Sequence, residues 1–157
     1  FQAIQPTILK HSDNVLQIFC RTKNRSIAAS WSYDGGITWA PLRKTTLPNN
    51  NSGIDAVTLK DGRILLVYNH VKPAKGQSKG PRTPLNVAVS YDGKKWFAAL
   101  ILEDSPIGQY SYPSVIQTSD GLIHIVYTFR RETIKHVVVD PSKIVLKKIR
   151  HGKWPER

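Results

Sequence analysis

The 157-residue sequence predicts an all-β fold assembled from repeated antiparallel units, and three observations predict it. An eight-residue pattern, Ser32-Tyr33-Asp34-Gly35-Gly36-Ile37-Thr38-Trp39, returns in shortened form 58 residues later as Ser90-Tyr91-Asp92-Gly93-Lys94-Lys95-Trp96. Apolar residues alternate or run in short blocks, turn residues recur about every 8–12 positions, and no stretch carries a helical period. Finally, three segments align as strand, turn, strand. Tandem four-stranded antiparallel units of about 50 residues are the sequence sign of β-propeller blades.

The first unit, about 5–50, opens with Pro6-Thr7-Ile8-Leu9-Lys10, turns at Asp13-Asn14 and returns through Val15–Cys20. A third apolar strand, Ser26–Trp31, runs into the first motif. In the second unit, about 51–105, Ala56-Val57-Thr58-Leu59 turns at Asp61-Gly62 into Arg63–Tyr68, and Leu85–Val89 runs into the second motif. The third, about 106–146, repeats the plan with Ser114-Val115-Ile116-Gln117, Asp120-Gly121, Leu122–Tyr127 and Ile134–Val139. Its motif position holds Asp140-Pro141-Ser142-Lys143, without the Gly and Trp. Asp-Gly and Asp-Asn tips suit primed turns, whose central residues need positive φ.

The repeated motif has its own physical logic. Ser32, Asp34, Gly36 and Trp39, and Ser90, Asp92 and Trp96 in the second copy, are predicted to close a tight turn. The carboxylate accepts backbone N–H groups, Gly36 takes positive φ, and the Trp plugs the turn against the sheet. A closed propeller has about 4–8 blades. Residues 1–146 therefore read as three of six, completed by the remaining blades or by a second copy of the chain. Residues 147–157 read as a basic, solvated C-terminal tail.

Composition narrows the classes of function. Hydrophobic residues make up 40% of the chain, with four Trp and six Tyr, and no apolar run approaches the roughly 20 residues of a membrane helix. Cys20 stands alone in a strand and reads as a buried, unreactive thiol. The chain starts at Phe1 and has no Met, as expected of a processed or excised piece. Sequons at Asn24 and Asn50 favour a secretory location. Net charge is +12, which attracts anionic polymers. Nucleic acid is not the expected partner, because no helix-turn-helix, zinc pattern or RNP-like strand is present. Anionic glycans suit the charge. No cofactor is expected, and no metal-ligand spacing accompanies His70 or His136.

In a meander blade, the first strand starts, the second ends and the third starts on one rim, while the hairpin tips and repeated motifs occupy the other. Gln5, Arg21, Asn69, His70, Arg82, Tyr110, Arg130 and Glu132 all fall on the first rim. That face is where side chains of several blades can converge on one ligand.

The two motifs are Asp boxes, and the chain resembles the sialidase (neuraminidase) superfamily, in particular its Asp-box, or BNR-repeat, sialidase-like proteins. Phe19-Cys20-Arg21-Thr22 resembles the family's second carboxylate-binding arginine, and Pro81-Arg82-Thr83-Pro84 its third. Gln109-Tyr110-Ser111 resembles the segment of the catalytic tyrosine, which makes Tyr110 the implied nucleophile. The resemblance implies a six-bladed exo-glycosidase in which arginines hold a carboxylate and a carboxylate activates the phenol. Gln5 stands where the activating Glu is expected, and an amide cannot act as a base. Glu132 is the candidate substitute. Asp55, Asn69, His70 and Arg130 are the further candidates for substrate binding.

Three functions follow as alternatives: a glycoside hydrolase acting on an anionic sugar, a non-catalytic lectin-like propeller, and a structural or protein-interaction propeller. The residues also carry simpler readings. Arg21 and Arg82 can serve as rim arginines, Tyr110 as packing between blades, and Glu132 as an ordinary loop carboxylate.

Overall fold

The structure, a computed structural model, describes residues 1–156. Strands β1 (Ile4–Lys10), β2 (Leu16–Arg21), β3 (Ser26–Ser32) and β4 (Arg43–Pro48) form one antiparallel sheet in sequence order. A second sheet holds β5 (Asp55–Thr58), β6 (Ile64–Tyr68), β7 (Leu85–Ser90) and β8 (Trp96–Glu103). The third has three strands, β9 (Tyr110–Gln117), β10 (Ile123–Phe129) and β11 (Thr133–Val139). The expected fourth strand of the third unit is replaced by a short 3-10 turn, Pro141–Lys143, capped by Asp140.

The basic C-terminal segment is not a solvated tail. Strand β12 (Lys147–Lys148) pairs antiparallel with β8, making the second sheet five-stranded. Ile149 and Trp154 pack against the core between the first two sheets, and Ile144 and Leu146 against the core between the second and third. Charge dominated the sequence reading of this segment, but its interleaved apolar residues bury themselves while the lysines extend outward.

Burial explains the apolar patterning. Along β6, Ile64, Leu66 and Tyr68 enter the core shared with Leu9, Phe19, Ile27 and Trp96, while Leu65 and Val67 enter the core shared with Val115, Ile123, Ile125 and Tyr127. Both faces of β6 are covered, so its sequence is a continuous apolar run. By contrast β10 alternates, with Ile123, Ile125 and Tyr127 buried and Val126 exposed. Asp55 ties the innermost strands of all three sheets together. Its Oδ1 accepts from Thr7 Oγ1 of β1 at 2.8 Å, and its Oδ2 accepts from the Val115 N–H of β9 at 2.8 Å. Those bonds engage both carboxylate oxygens and give Asp55 a structural role in joining the sheets.

Both Asp boxes form. In the first, Asp34 accepts from Thr38 N and Thr38 Oγ1, Ser32 Oγ donates to Asp34 and accepts from Gly36 N, and Gly36 has φ +96°. Those hydrogen bonds, led by the Thr38 hydroxyl, pull the Asp34 carboxyl down to about 2. In the second, Asp92 accepts from Lys94 N and Lys95 N, and Ser90 Oγ accepts from Gly93 N. Trp96 is 3% exposed and plugs the core, edge-on to Phe19. Trp39 departs from expectation: it is 37% exposed, its Nε1 donating to Gly36 O.

Candidate functional site

Three sheets each send one long side chain to a common point. Arg21 closes β2, whose end pairs with Ile4, while the opposite end of β2 pairs Leu16 with Ser32 of the first Asp box. The arginine and the box therefore lie at opposite ends of the sheet, as the meander argument requires. Arg82 sits in the loop entering β7, and Tyr112 lies within β9.

The Tyr112 hydroxyl is 3.4 Å from Arg82 Nη2, and Arg82 Nη1 donates to Ser111 Oγ at 3.2 Å. The Arg82 guanidinium also stands 5.0 Å from the Tyr112 ring centroid, within cation–π range. Hydrogen bonding and charge from Arg82, followed by the same contributions from Arg21, lower the Tyr112 phenol below its ordinary range. Arg21 has two buried guanidinium nitrogens, Nε and Nη1, with no hydrogen-bond partner. Buried unpaired donors of a permanently charged group are costly. Either nitrogen can donate to an acceptor oxygen, such as that of a carboxylate.

The segment from Asn49 to Gly53 builds this site from beneath. Asn49 Oδ1 accepts from Thr22 N at 3.0 Å and so fixes the chain just beyond Arg21. Asn50 Nδ2 donates to Pro81 O at 2.6 Å and fixes the chain just before Arg82. Gly53 faces the phenol: a Cβ added there would meet Tyr112 Cδ1 at 3.1 Å. Asn50 Oδ1, Asn51 Oδ1 and Ser52 Oγ are buried without partners. Because Asn50 is itself buried, its sequon cannot present an acceptor amide in the folded chain, whereas Asn24 is exposed.

Tyr110, the tyrosine implied by the resemblance, is a core residue. It is 1% exposed, its ring lies 5.3 Å from that of Phe129, and its backbone N–H donates to Arg82 O. The phenol beside the arginines is Tyr112, 49% exposed at φ +53°. Left-handed backbone at a bulky residue costs of order 1–3 kcal/mol and gathers at functional sites. Alternation places Tyr110 and Tyr112 on one face in a regular strand. The irregular register of β9 against β10 near Tyr112 breaks that parity.

Other expected site residues are placed elsewhere. Asn69 is fully buried and donates to Pro84 O and Tyr110 O. The His70 ring receives the Tyr68 hydroxyl at Nδ1, contacts Gly152 O through Nε2 at 2.9 Å, and packs against Trp154. It anchors the C-terminal segment, and burial pushes its pKa down to about 4. Arg130 stacks on Phe129 in a separate shallow depression shared with Glu132 and Gln109. Glu132 is exposed at the β10–β11 turn and, among the described residues, forms no hydrogen bond to either tyrosine. Gln5 is exposed at φ +51°, in a register irregularity of β1. His136 pairs with His124, ring nitrogens 3.0 Å apart, and Cys20 is buried, its thiol pushed up by burial.

The class defined by these sheets and boxes is that of Asp-box repeat proteins, and residues 1–125 match the BNR repeat-like domain family. The chain belongs to that family. Among solved structures, it resembles the NanB sialidase of Streptococcus pneumoniae at 16% identity and TM-score 0.71, covering 91% of this chain and 24% of that one. It is similar to the intramolecular trans-sialidase of Ruminococcus gnavus, solved with oseltamivir carboxylate, at 19% identity and TM-score 0.70, over 94% and 34%. A Hadza microbial sialidase, Hz136, gives 19% identity and TM-score 0.69 over 92% and 29%. The chain thus spans between a quarter and about a third of these proteins. No curated protein matches it.

Proposed function

We propose that this chain is part of a sialidase-like propeller whose Arg21–Tyr112–Arg82 site binds the carboxylate of an anionic sugar. The observation that carries this reading is the pair of unpartnered, buried nitrogens on Arg21 beside a phenol already held by Arg82. The likeness to sialidase folds supports a sugar, and the oseltamivir carboxylate in the complex of the Ruminococcus gnavus trans-sialidase supports an anionic one. The remaining blades complete the ring.

Hydrolysis through a tyrosine needs a base to take the phenolic proton. Among the described residues, Tyr112 is bonded to an arginine and to no carboxylate. Turnover therefore requires a carboxylate from elsewhere in the protein, and without one the same site holds its sugar as a lectin does. The complete protein, titrated with N-acetylneuraminic acid and glucuronic acid and assayed on a panel of fluorogenic glycosides, distinguishes these readings. Product formation lost in Tyr112→Phe supports the hydrolase. Saturable binding without product supports the lectin, and neither binding nor turnover rejects the carboxylate site.

A further inference from the structure

On the outer shoulder of the same rim, a cleft of about 720 Å³ opens between β4 and the docked C-terminal segment. Four cationic side chains from four separate segments line it: Arg25 from the β2–β3 turn, Lys44 from β4, Lys72 from the loop after β6 and Lys153 from the C-terminal segment. Its lining includes no Asp or Glu among the described residues. Ser26 Oγ, also in the lining, is buried without a hydrogen-bond partner. Arg25 is anchored by its Nε donating to Pro73 O at 2.8 Å, with its backbone at φ +65°.

Like charges gathered around a concave surface repel one another and focus the field on any anion that enters. A solvated lysine face would point its charges apart and would not require burial of an unpaired hydroxyl. The cleft lies between the first two sheets, its lining running from β4 of the first to the C-terminal segment docked on the second. Ser26 begins β3 beside the end of β2 that carries Arg21. A chain leaving the Arg21 site over that rim therefore meets the cleft.

We propose that the cleft is a second anion subsite, which takes the sulfate or carboxylate groups of an acidic polysaccharide chain. It rests on the proposed glycan function for the class of ligand, and not for the existence of the anion site.

The test is calorimetric titration of the complete protein with a sulfated, uronate-containing hexasaccharide, with glucuronic acid alone and with a short single-stranded oligodeoxynucleotide. In the variant Lys44→Glu/Lys72→Glu/Lys153→Glu, all three positions being exposed, hexasaccharide affinity should fall by about tenfold or more. Glucuronic acid binding should be unchanged. Added salt should weaken the hexasaccharide more than the monosaccharide. Equal hexasaccharide affinity in wild type and variant overturns the subsite and leaves the Arg21 reading intact. Cleft-dependent hexasaccharide binding with no monosaccharide binding supports the subsite and defeats the Arg21 reading. An oligodeoxynucleotide that binds as tightly, with the same loss in the variant, overturns the assignment to a glycan.

Discussion

Arg82 reaches the Tyr112 hydroxyl at 3.4 Å from Nη2 and places its guanidinium 5.0 Å from the centre of the same ring. One cation thus steers both the plane and the proton affinity of one phenol. Arg21 adds to the effect from another sheet. The phenol is thus held between two guanidinium groups, which is the arrangement the proposed carboxylate site uses.

Exchanging the two tyrosines therefore separates site from core. Tyr112→Phe should weaken sugar binding or abolish turnover while leaving stability near wild type, since the ring is half exposed. Tyr110→Ala should cost about 3–5 kcal/mol in folding, as removal of a buried aromatic does. Arg82→Ala should return the Tyr112 phenol upward, toward its ordinary range. Denaturant melts and ultraviolet phenolate titrations check all three. Ligand loss in Tyr110→Phe with none in Tyr112→Phe would reverse the assignment.

Gly53 gives a sharper probe of the same ring. Ala there places a Cβ about 3.1 Å from Tyr112 Cδ1, closer than carbon atoms pack at optimal separation. Its φ is not in the left-handed region, so the backbone accepts the change. The half-exposed phenol should rotate away from Arg82, raising its pKa and reducing sugar affinity with little loss of stability. A Gly53→Ala protein that binds normally would show that the ring's present orientation is unimportant.

Strand order and the Asp boxes were legible because the backbone enforces them. The Asp-Gly tips, the alternation along β10 and the unbroken apolar run of β6 each encode a local geometry. The arginines were legible for the same reason, since rim position follows from where a strand ends. Tyr112 was not, because strand parity fails at an irregular register. Nor were Asn49 and Asn50, whose side chains tie together loops distant in sequence: Asn50 reaches Pro81, 31 positions away. The C-terminal strand was hidden by its own charge, the apolar Ile149 and Trp154 being scattered among lysines and arginines.

The boxes should differ in weight. Trp96→Ala empties a buried site and should cost about 3–5 kcal/mol. Trp39→Ala removes a partly exposed ring and one hydrogen bond, and should cost less, about 1–2 kcal/mol. Chemical denaturation of the two variants checks the difference, and equal losses would mean that the exposed box carries strain relief not visible in its contacts.

Acid should loosen the C-terminal segment before the sheets. His70 titrates near 4 in the fold, chiefly through burial, against 6.5 for the free side chain. Between those values the unfolded chain binds the proton and the folded one does not. His70's contribution is therefore complete above about 6.5 and is lost as pH falls toward about 4, a change on the order of 3 kcal/mol at most. Hydrogen exchange at Lys147–Lys148 and Trp154 fluorescence should report release in that window. His70→Gln should flatten the pH dependence. An unchanged acid transition in that variant would place the sensitivity in other groups.

Arg21 sets binding against stability. Its Nε and Nη1 are buried and unpaired, and an unsatisfied buried donor costs about 1–3 kcal/mol. Arg21→Met keeps the stem's apolar contacts and removes the charge, so the ligand-free protein should become more stable by about 1 kcal/mol or more. Stabilisation by a carboxylated sugar should disappear with it. In the wild type, ligand at about 100 times Kd should add about 2.7 kcal/mol. Urea melts with and without N-acetylneuraminic acid or glucuronic acid measure both quantities. A destabilised Arg21→Met protein would mean that the guanidinium is satisfied within the fold, and full ligand stabilisation in that variant would move the carboxylate to another part of the surface.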